Sequence, residues 1–251
     1  MASPIVALRG VGKTFDTGVV ALDGLDLEVR EGEFLTLLGP SGCGKSTALR
    51  MIAGLSSPTR GELRWRDGGR PEIGFVFQEP TLMPWTSAWN NVYLPLRLAG
   101  WSKARAAPVV DRALELVGLK GFERAWPREL SGGMKMRVSI ARALVLRPPL
   151  LLMDEPFAAL DEITRFRLND DLLALKSELG ATIVFVTHSV FESVYLSTHV
   201  AVFAARPGRI AETIEVDAPY PRDRGFRLEP AFAQWCRRAS AALDAASGDS
   251  R

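Results

Sequence analysis

The sequence predicts an α/β fold: a core with a mostly parallel sheet, an N-terminal antiparallel β subdomain and an inserted α-helical subdomain. Three observations predict it. Near-continuous apolar runs at Phe34–Leu38, Leu150–Met153 and Thr182–Val186 suit strands buried on both faces. Ala48, Leu49, Met51, Ile52 and Leu55 after the first run, and Arg165–Leu179 after the second, carry apolar residues at helical spacing. Between these blocks, Glu79–Glu129 has weak strand signals, a helical segment around Val109–Val117, and Pro80, Pro84, Trp85, Trp89 and Trp101.

Taken in order, Ile5, Ala7 and Leu8, then Leu22, Leu25, Leu27 and Val29, read as strands punctuated by Gly24 and Gly32. The buried strand Phe34–Leu38 and its helix follow, with Gly54 as a stop signal. Ile73–Phe77 is a further apolar segment, and Val200–Ala204 a third buried strand of the second block. Beyond Pro219 the chain reads as loose and basic, closed by a short helix with Phe232, Trp235, Ala239 and Leu243 on one face. The expected organisation is one domain over 1–246. Its core takes 1–78 and 131–218, the helical insert 79–130 and a C-terminal extension 219–246, with 247–251 frayed.

Gly39-Pro40-Ser41-Gly42-Cys43-Gly44-Lys45-Ser46 matches the phosphate-binding pattern G-x-x-x-x-G-K-[ST] in full, with Thr47 following. It stands between a buried strand and a helix, where its mechanism needs it. Glycines let the backbone approach phosphate oxygens, and successive N–H groups and the helix N-terminus then form an anion nest. Lys45 is expected to reach the β- and γ-phosphates, and Ser46 to place its hydroxyl on Mg²⁺. The core is therefore read as a P-loop NTPase. Cys43 is read as a small side chain at a permissive position rather than as a redox group.

Leu150-Leu-Leu-Met-Asp-Glu155 is an apolar strand ending in two acids. Asp154 can hold Mg²⁺, and Glu155 is placed to polarise a water for in-line attack. Gln78 and His188 are polar residues at the ends of apolar runs, where a sheet places ligands. His188 is assigned to the γ-phosphate and His199 to a structural role. Leu130-Ser-Gly-Gly-Met134 opens a helix, with Ser131 as N-cap and two glycines exposing helix N–H groups. One nucleotide needs one cradle, so this second one serves a nucleotide on another copy of the fold.

Together these motifs resemble the ATP-binding subunit of an ABC transporter, over about Ile5 to Ala233. The ordered set comprises the P-loop at 39–46, the Q-loop Gln78, the signature Leu130–Met134, the acidic strand 150–155, the D-loop Ala159-Leu-Asp161 and the switch His188. The resemblance implies ATP and Mg²⁺, with Ser46, Gln78 and Asp154 at the metal and Glu155, His188 and Gln78 in catalysis. It implies Phe15 stacked on adenine. It also implies a head-to-tail homodimer in which Ser131, Gly132, Gly133 and Asp161 act on the partner's nucleotide.

Gln78–Trp85, Asn91-Val, Leu94–Gly100, Asp154–Arg165, Met134 and Arg206–Ile210 are similar to the importer group for nitrate, sulfonates and taurine. Lys135-Met136-Arg137 departs from that group's Arg-Gln-Arg, and Ser197-Thr198-His199 from its Ala-Asp-Arg. An importer subunit implies a membrane permease, met near Leu82, Met83 and Trp85, and a solute-binding protein outside the cytoplasm. A soluble ABC ATPase of DNA repair or translation is the alternative. Such proteins usually carry paired ATPase domains, a coiled coil or basic extensions.

Composition agrees with a peripheral subunit on the cytoplasmic face of the membrane. The 251 residues are 47% hydrophobic and 24% charged, with a net charge of +2, which excludes a strongly electrostatic nucleic-acid surface. Two Cys and two His exclude a disulfide framework and leave little room for a zinc site. No apolar run approaches the ~18 residues of a membrane span, and Met1–Arg9 lacks the apolar core of a signal peptide.

Overall fold

The structure is a computed structural model that describes residues 4–248. Its strands are β1 (Pro4–Thr14), β2 (Val20–Arg30), β3 (Phe34–Leu38), β4 (Arg60–Trp65), β5 (Ile73–Val76), β6 (Leu150–Asp154), β7 (Thr182–Thr187), β8 (His199–Ala204) and β9 (Arg209–Glu215). Its helices are α1 (Lys45–Ile52), α2 (Ala88–Leu98), α3 (Lys103–Leu116), α4 (Gly132–Leu144), α5 (Glu162–Leu179), α6 (Val190–Leu196) and α7 (Pro230–Gly248). Two compact units result, one of residues up to Pro71 with those from Gly180 on, the other Glu72–Leu179.

In the first unit β3 lies between β7 and β8 and is parallel to both, with Phe34 opposite Ile183 and Leu35 opposite His199. β9 closes this edge antiparallel to β8. Every residue of β3 and β7 is buried, which is why these strands read as unbroken apolar runs rather than as alternation. β1 pairs antiparallel with β2 and with β4, the expected N-terminal antiparallel subdomain. The second unit pairs β5 parallel with β6 and adds α2–α5. The mostly parallel α/β class with an antiparallel sheet and helical additions is the class expected.

The Ser197-Thr198-His199 departure has structural partners, and so does Arg137, the residue of Lys135-Met136-Arg137 that keeps the group's arginine. The Ser197 hydroxyl lies 2.5 Å from that of Thr36, and both residues are fully buried. Thr198 donates its backbone N–H to the Phe34 carbonyl at 2.9 Å, which ties the start of β8 to β3. Arg137 donates to the Val117 carbonyl at 2.6 Å and to Asp171, joining three segments of the second unit.

The C-terminal extension differs from the loose segment expected. Asp223 caps a short 3-10 helix at Arg224–Leu228 by accepting from the Phe226 N–H. α7 then runs for 19 residues, because alanine-rich sequence with no interior proline propagates a helix well. Its Phe232, Cys236 and Ala239 are buried. Residues 247 and 248 form its last turn, while 249–251 of the expected frayed tail, and 1–3, lie outside the described residues. Among the described residues, no helix is long and apolar enough to cross a membrane.

Candidate functional site

In the first unit the chain leaves β3 at Leu38 and enters the cradle. Gly44 has φ 98°, a left-handed conformation that disfavours side chains, and a Cβ there would lie 2.8 Å from the Ala21 carbonyl. The next residue begins α1, and the Ala48 N–H donates to the Gly44 carbonyl at 2.9 Å. Lys45 is 3% exposed. Its ammonium donates to the Gly39 and Pro40 carbonyls at 2.7 and 2.8 Å, so the cation is held over the loop it is meant to serve. Ser41 and Gly42 are exposed at the loop tip, and Ser46 and Thr47 are half-buried.

Cys43 is 1% exposed, its sulfur is 3.8 Å from the Lys45 ammonium, and burial pushes its thiol pKa up. Burial outweighs the nearby ammonium, which by itself favours the thiolate, and keeps Cys43 a packed thiol. Phe15, 44% exposed, follows β1 at the start of a turn closed by Phe15 N–H to the Val19 carbonyl at 2.9 Å. The Lys13 ammonium is 5.6 Å from the Phe15 ring centroid. His188 is exposed and sits directly between β7 and α6. His199 is half-buried, with Nδ1 3.4 Å from the Glu33 carboxylate, and burial lowers its pKa.

Gly208 is a residue that the sequence reading used only as a group marker. Its N–H donates to the Ala21 carbonyl at 3.0 Å, and its carbonyl accepts from the Asp23 N–H at 3.1 Å. A Cβ at Gly208 would lie 2.2 Å from the Cys43 carbonyl. The start of β9 thus backs the phosphate loop at a distance only glycine allows. Gly208→Ala is expected to displace the loop and raise the KM for ATP by about tenfold, roughly 1.4 kcal/mol. Steady-state turnover against ATP concentration checks this, and an unchanged KM removes the supporting role.

In the second unit β6 ends at Asp154, a residue only 7% exposed. Glu155 follows, half-buried, with φ 45°. A left-handed glutamate is a strained conformation of the kind kept at functional positions. Asp161 accepts from the Thr164 N–H at 2.9 Å at the start of α5, and that bond lowers its carboxyl pKa. Ser131 caps α4 by accepting from the Met134 N–H at 3.3 Å. Ser131 and Gly132 are exposed, while Gly133 is buried, with room for no Cβ 2.7 Å from the Thr164 methyl. The N-cap and the first residue of α4 thus stand open to solvent, with backbone N–H groups in the helix's first turn.

Gln78 is exposed beyond β5. The loop after it is held by two side chains whose part was not legible in the sequence. The Arg142 guanidinium donates to the Pro80 and Thr81 carbonyls, both at 2.9 Å, and burial lowers its pKa. Asn91, fully buried, accepts from the Met83 N–H at 2.8 Å and donates to the Ser87 carbonyl at 3.0 Å. Between these anchors Trp85 is 72% exposed, while Leu82 and Met83 are half-buried. Met83, Trp85, Asn90, Tyr93 and Lys103 line a groove of about 390 Å³.

Comparison with known proteins gives a consistent result. A family model described as ABC transporter matches residues 22–158. The chain is 50% identical over 210 residues to an uncharacterised ABC transporter ATP-binding protein of Methanocaldococcus jannaschii, covering 82% of this chain and 79% of that protein. It is 47% identical over 207 residues to the aliphatic sulfonates import ATP-binding protein SsuB of Bacillus subtilis, covering 81% and 80%. Among solved structures it matches a dimeric, post-hydrolysis state of the ATP-binding cassette MJ0796 bound to ADP and Pi. That match has a TM-score of 0.76 and 33% identity, covering 85% of this chain and all of that one. The chain belongs to the ABC transporter family, as an ATP-binding subunit that hydrolyses ATP.

Proposed function

We propose that this ATPase powers an importer, working as a head-to-tail homodimer that couples ATP binding and hydrolysis to uptake of a sulfonate, taurine, nitrate or a related small solute. The observation that carries the reading is the pair of helix N-termini suited to anions, α1 behind the phosphate loop and α4 behind Ser131-Gly132-Gly133. A single nucleotide needs one of them. The dimeric ADP-bound relative and the SsuB relative support dimerisation and import, respectively.

In this reading the loop N–H groups of residues 39–47 and the Lys45 ammonium hold the β- and γ-phosphates, and Phe15 stacks on adenine. The Ser46 hydroxyl, the Asp154 carboxylate and the Gln78 amide are hard oxygen donors of the kind Mg²⁺ takes, and they would hold it. When bound, the ion offsets phosphate charge. Glu155 accepts a hydrogen bond from the attacking water and aligns it in line with the γ-phosphate. His188 contacts the γ-phosphate and stabilises the charge that develops there. Ser131, Gly132 and Gly133 of one copy complete the γ-phosphate site of the other, with Asp161 reaching across the same interface.

The helical insert 79–130 would face a membrane permease, placing the subunit on the cytoplasmic face of the membrane. The permease in turn receives solute from a solute-binding protein. Leu82, Met83 and above all Trp85 offer the apolar contact, because an exposed aromatic on an anchored loop loses little entropy on docking. No nucleic-acid partner enters this reading. Trp85→Ala is expected to leave basal ATP turnover of the purified chain unchanged and to weaken permease association by about 30-fold or more, an interface hot-spot effect of ~2 kcal/mol. Co-purification from membranes measures this, and an undiminished permease yield rejects the contact. Calorimetry of the cognate binding protein with taurine, alkyl sulfonates and nitrate tests the solute.

A further inference from the structure

We propose that Arg222 and Tyr220 are positioning residues for ATP hydrolysis, clamping the far end of the helix that follows His188 and so fixing where the histidine points. The inference rests on the role given to His188 above. α6 has seven residues, too few to be stable on its own, and each helix end leaves backbone groups without intrahelical partners.

Its N-terminal end is held locally. Ser189 Oγ accepts from the Glu192 N–H at 3.4 Å, Thr187 Oγ1 accepts from the Ser189 N–H at 3.0 Å, and Thr187 Oγ1 also donates to the Glu192 carboxylate. The C-terminal end is built differently. Its cap residue, Ser197, is extended at φ −101° and is not glycine.

Side chains from the C-terminal extension fill that role. One guanidinium nitrogen of Arg222 donates to the Tyr195 and Ser197 carbonyls at 3.2 and 2.7 Å, and the other donates to the Val216 carbonyl at 3.2 Å. The Tyr220 hydroxyl donates to the Leu196 carbonyl at 3.2 Å. Three consecutive carbonyls at the end of α6 thus accept from two residues of the extension. Arg222 is only 6% exposed, and burial lowers its pKa to about 10. Burying a charge is costly unless it is well hydrogen-bonded, so the guanidinium is committed to these carbonyls. A cation at a helix C-terminus also complements the helix dipole.

Ring contacts extend the clamp. Arg227 stacks on the Tyr195 ring at 3.6 Å, and Phe232 of α7 meets Phe191 of α6 with centroids 6.0 Å apart. His188 and Ser189 are the only residues between β7 and α6. They join β7, which is fixed in the sheet, directly to α6, so the placement of α6 bears on that of the His188 backbone. Releasing the carbonyls of residues 195–197 lets this short helix shift or fray, and the histidine backbone moves with it.

The test uses the full-length chain. Arg222→Met is expected to lower kcat about tenfold with the KM for ATP within about twofold, because the phosphate loop is untouched. Arg222→Lys, which restores one donor, recovers part of the loss. Amide hydrogen exchange over 188–197 quickens in Arg222→Met and not over α1. Adding Arg222→Met to His188→Ala causes no further loss, as residues acting through one group are non-additive. An unchanged kcat, a KM that rises in step, or losses that multiply in the double variant overturns the proposal. His188→Ala turning over at the wild-type rate overturns instead the role of His188, and the clamp's catalytic part falls with it. Should Arg222→Met fail to fold, Tyr220→Phe removes a single hydroxyl. It must show the same lower kcat and faster exchange, and wild-type values for both reject the clamp.

Discussion

Glu155→Gln is expected to bind ATP as the wild type does, to hydrolyse it about 10²- to 10⁴-fold more slowly, the range for loss of a positioned general base, and to accumulate as a dimer. The substitution keeps the shape and the half-buried, left-handed placement of the side chain after β6. Under the proposed role it removes the negative charge that would draw the attacking water's proton. With cleavage stalled, the ATP-bound state persists, and the two signature segments stay engaged with nucleotide. Phosphate release gives the rate, and light scattering with and without Mg-ATP gives the dimer. Undiminished turnover would take Glu155 out of the chemistry. A stalled enzyme that stays monomeric would instead remove the head-to-tail arrangement.

Lys45→Ala is expected to weaken ATP binding by about 10- to 100-fold, the worth of one or two charge-assisted hydrogen bonds, and to reduce turnover below detection. The ammonium sits at 2.7 and 2.8 Å from the Gly39 and Pro40 carbonyls. Under the proposed role it exchanges these neutral acceptors for phosphate oxygens when ATP binds, and the expected gain in affinity arises there. Calorimetry gives the Kd. The thermal shift gives an independent reading, since ligand stabilisation grows with the ratio of ATP concentration to Kd. A wild-type Kd in the variant would show that the loop backbone alone carries the affinity.

Much of the fold was legible because the periodicity was unambiguous. β3, β6 and β7 are buried along their whole length, and a strand buried on both faces is an apolar run. The same holds for α4, whose Ser131 cap and following glycines stand in the sequence as a helix start. The phosphate loop was legible for a different reason. Its chemistry requires particular residues at contiguous positions, so composition and spacing carry the geometry.

What escaped the sequence depends on partners far along the chain. In the sequence Gly208 stands only as part of the Arg206–Ile210 group pattern, and only the packed structure brings it against the Cys43 carbonyl. Asn91 likewise stands in the sequence only as part of that group pattern, while in the structure its amide anchors the loop that carries Trp85. Residues 219–228 read as loose and basic because arginine is ordinarily a surface residue. The burial of Arg222 is decided by carbonyls at 195, 197 and 216 that all face one point.

The sequence by itself determined the α/β class, the order of the motifs and the ATPase chemistry, because each of these is written in local pattern: strand burial, helix starts and a contiguous phosphate loop. Tertiary structure alone decided which distant side chains and backbone groups pack against those segments. The close approach of Gly208, the buried amide of Asn91 and the buried guanidinium of Arg222 each take their surroundings from atoms many residues away, and local sequence carries no record of those distances.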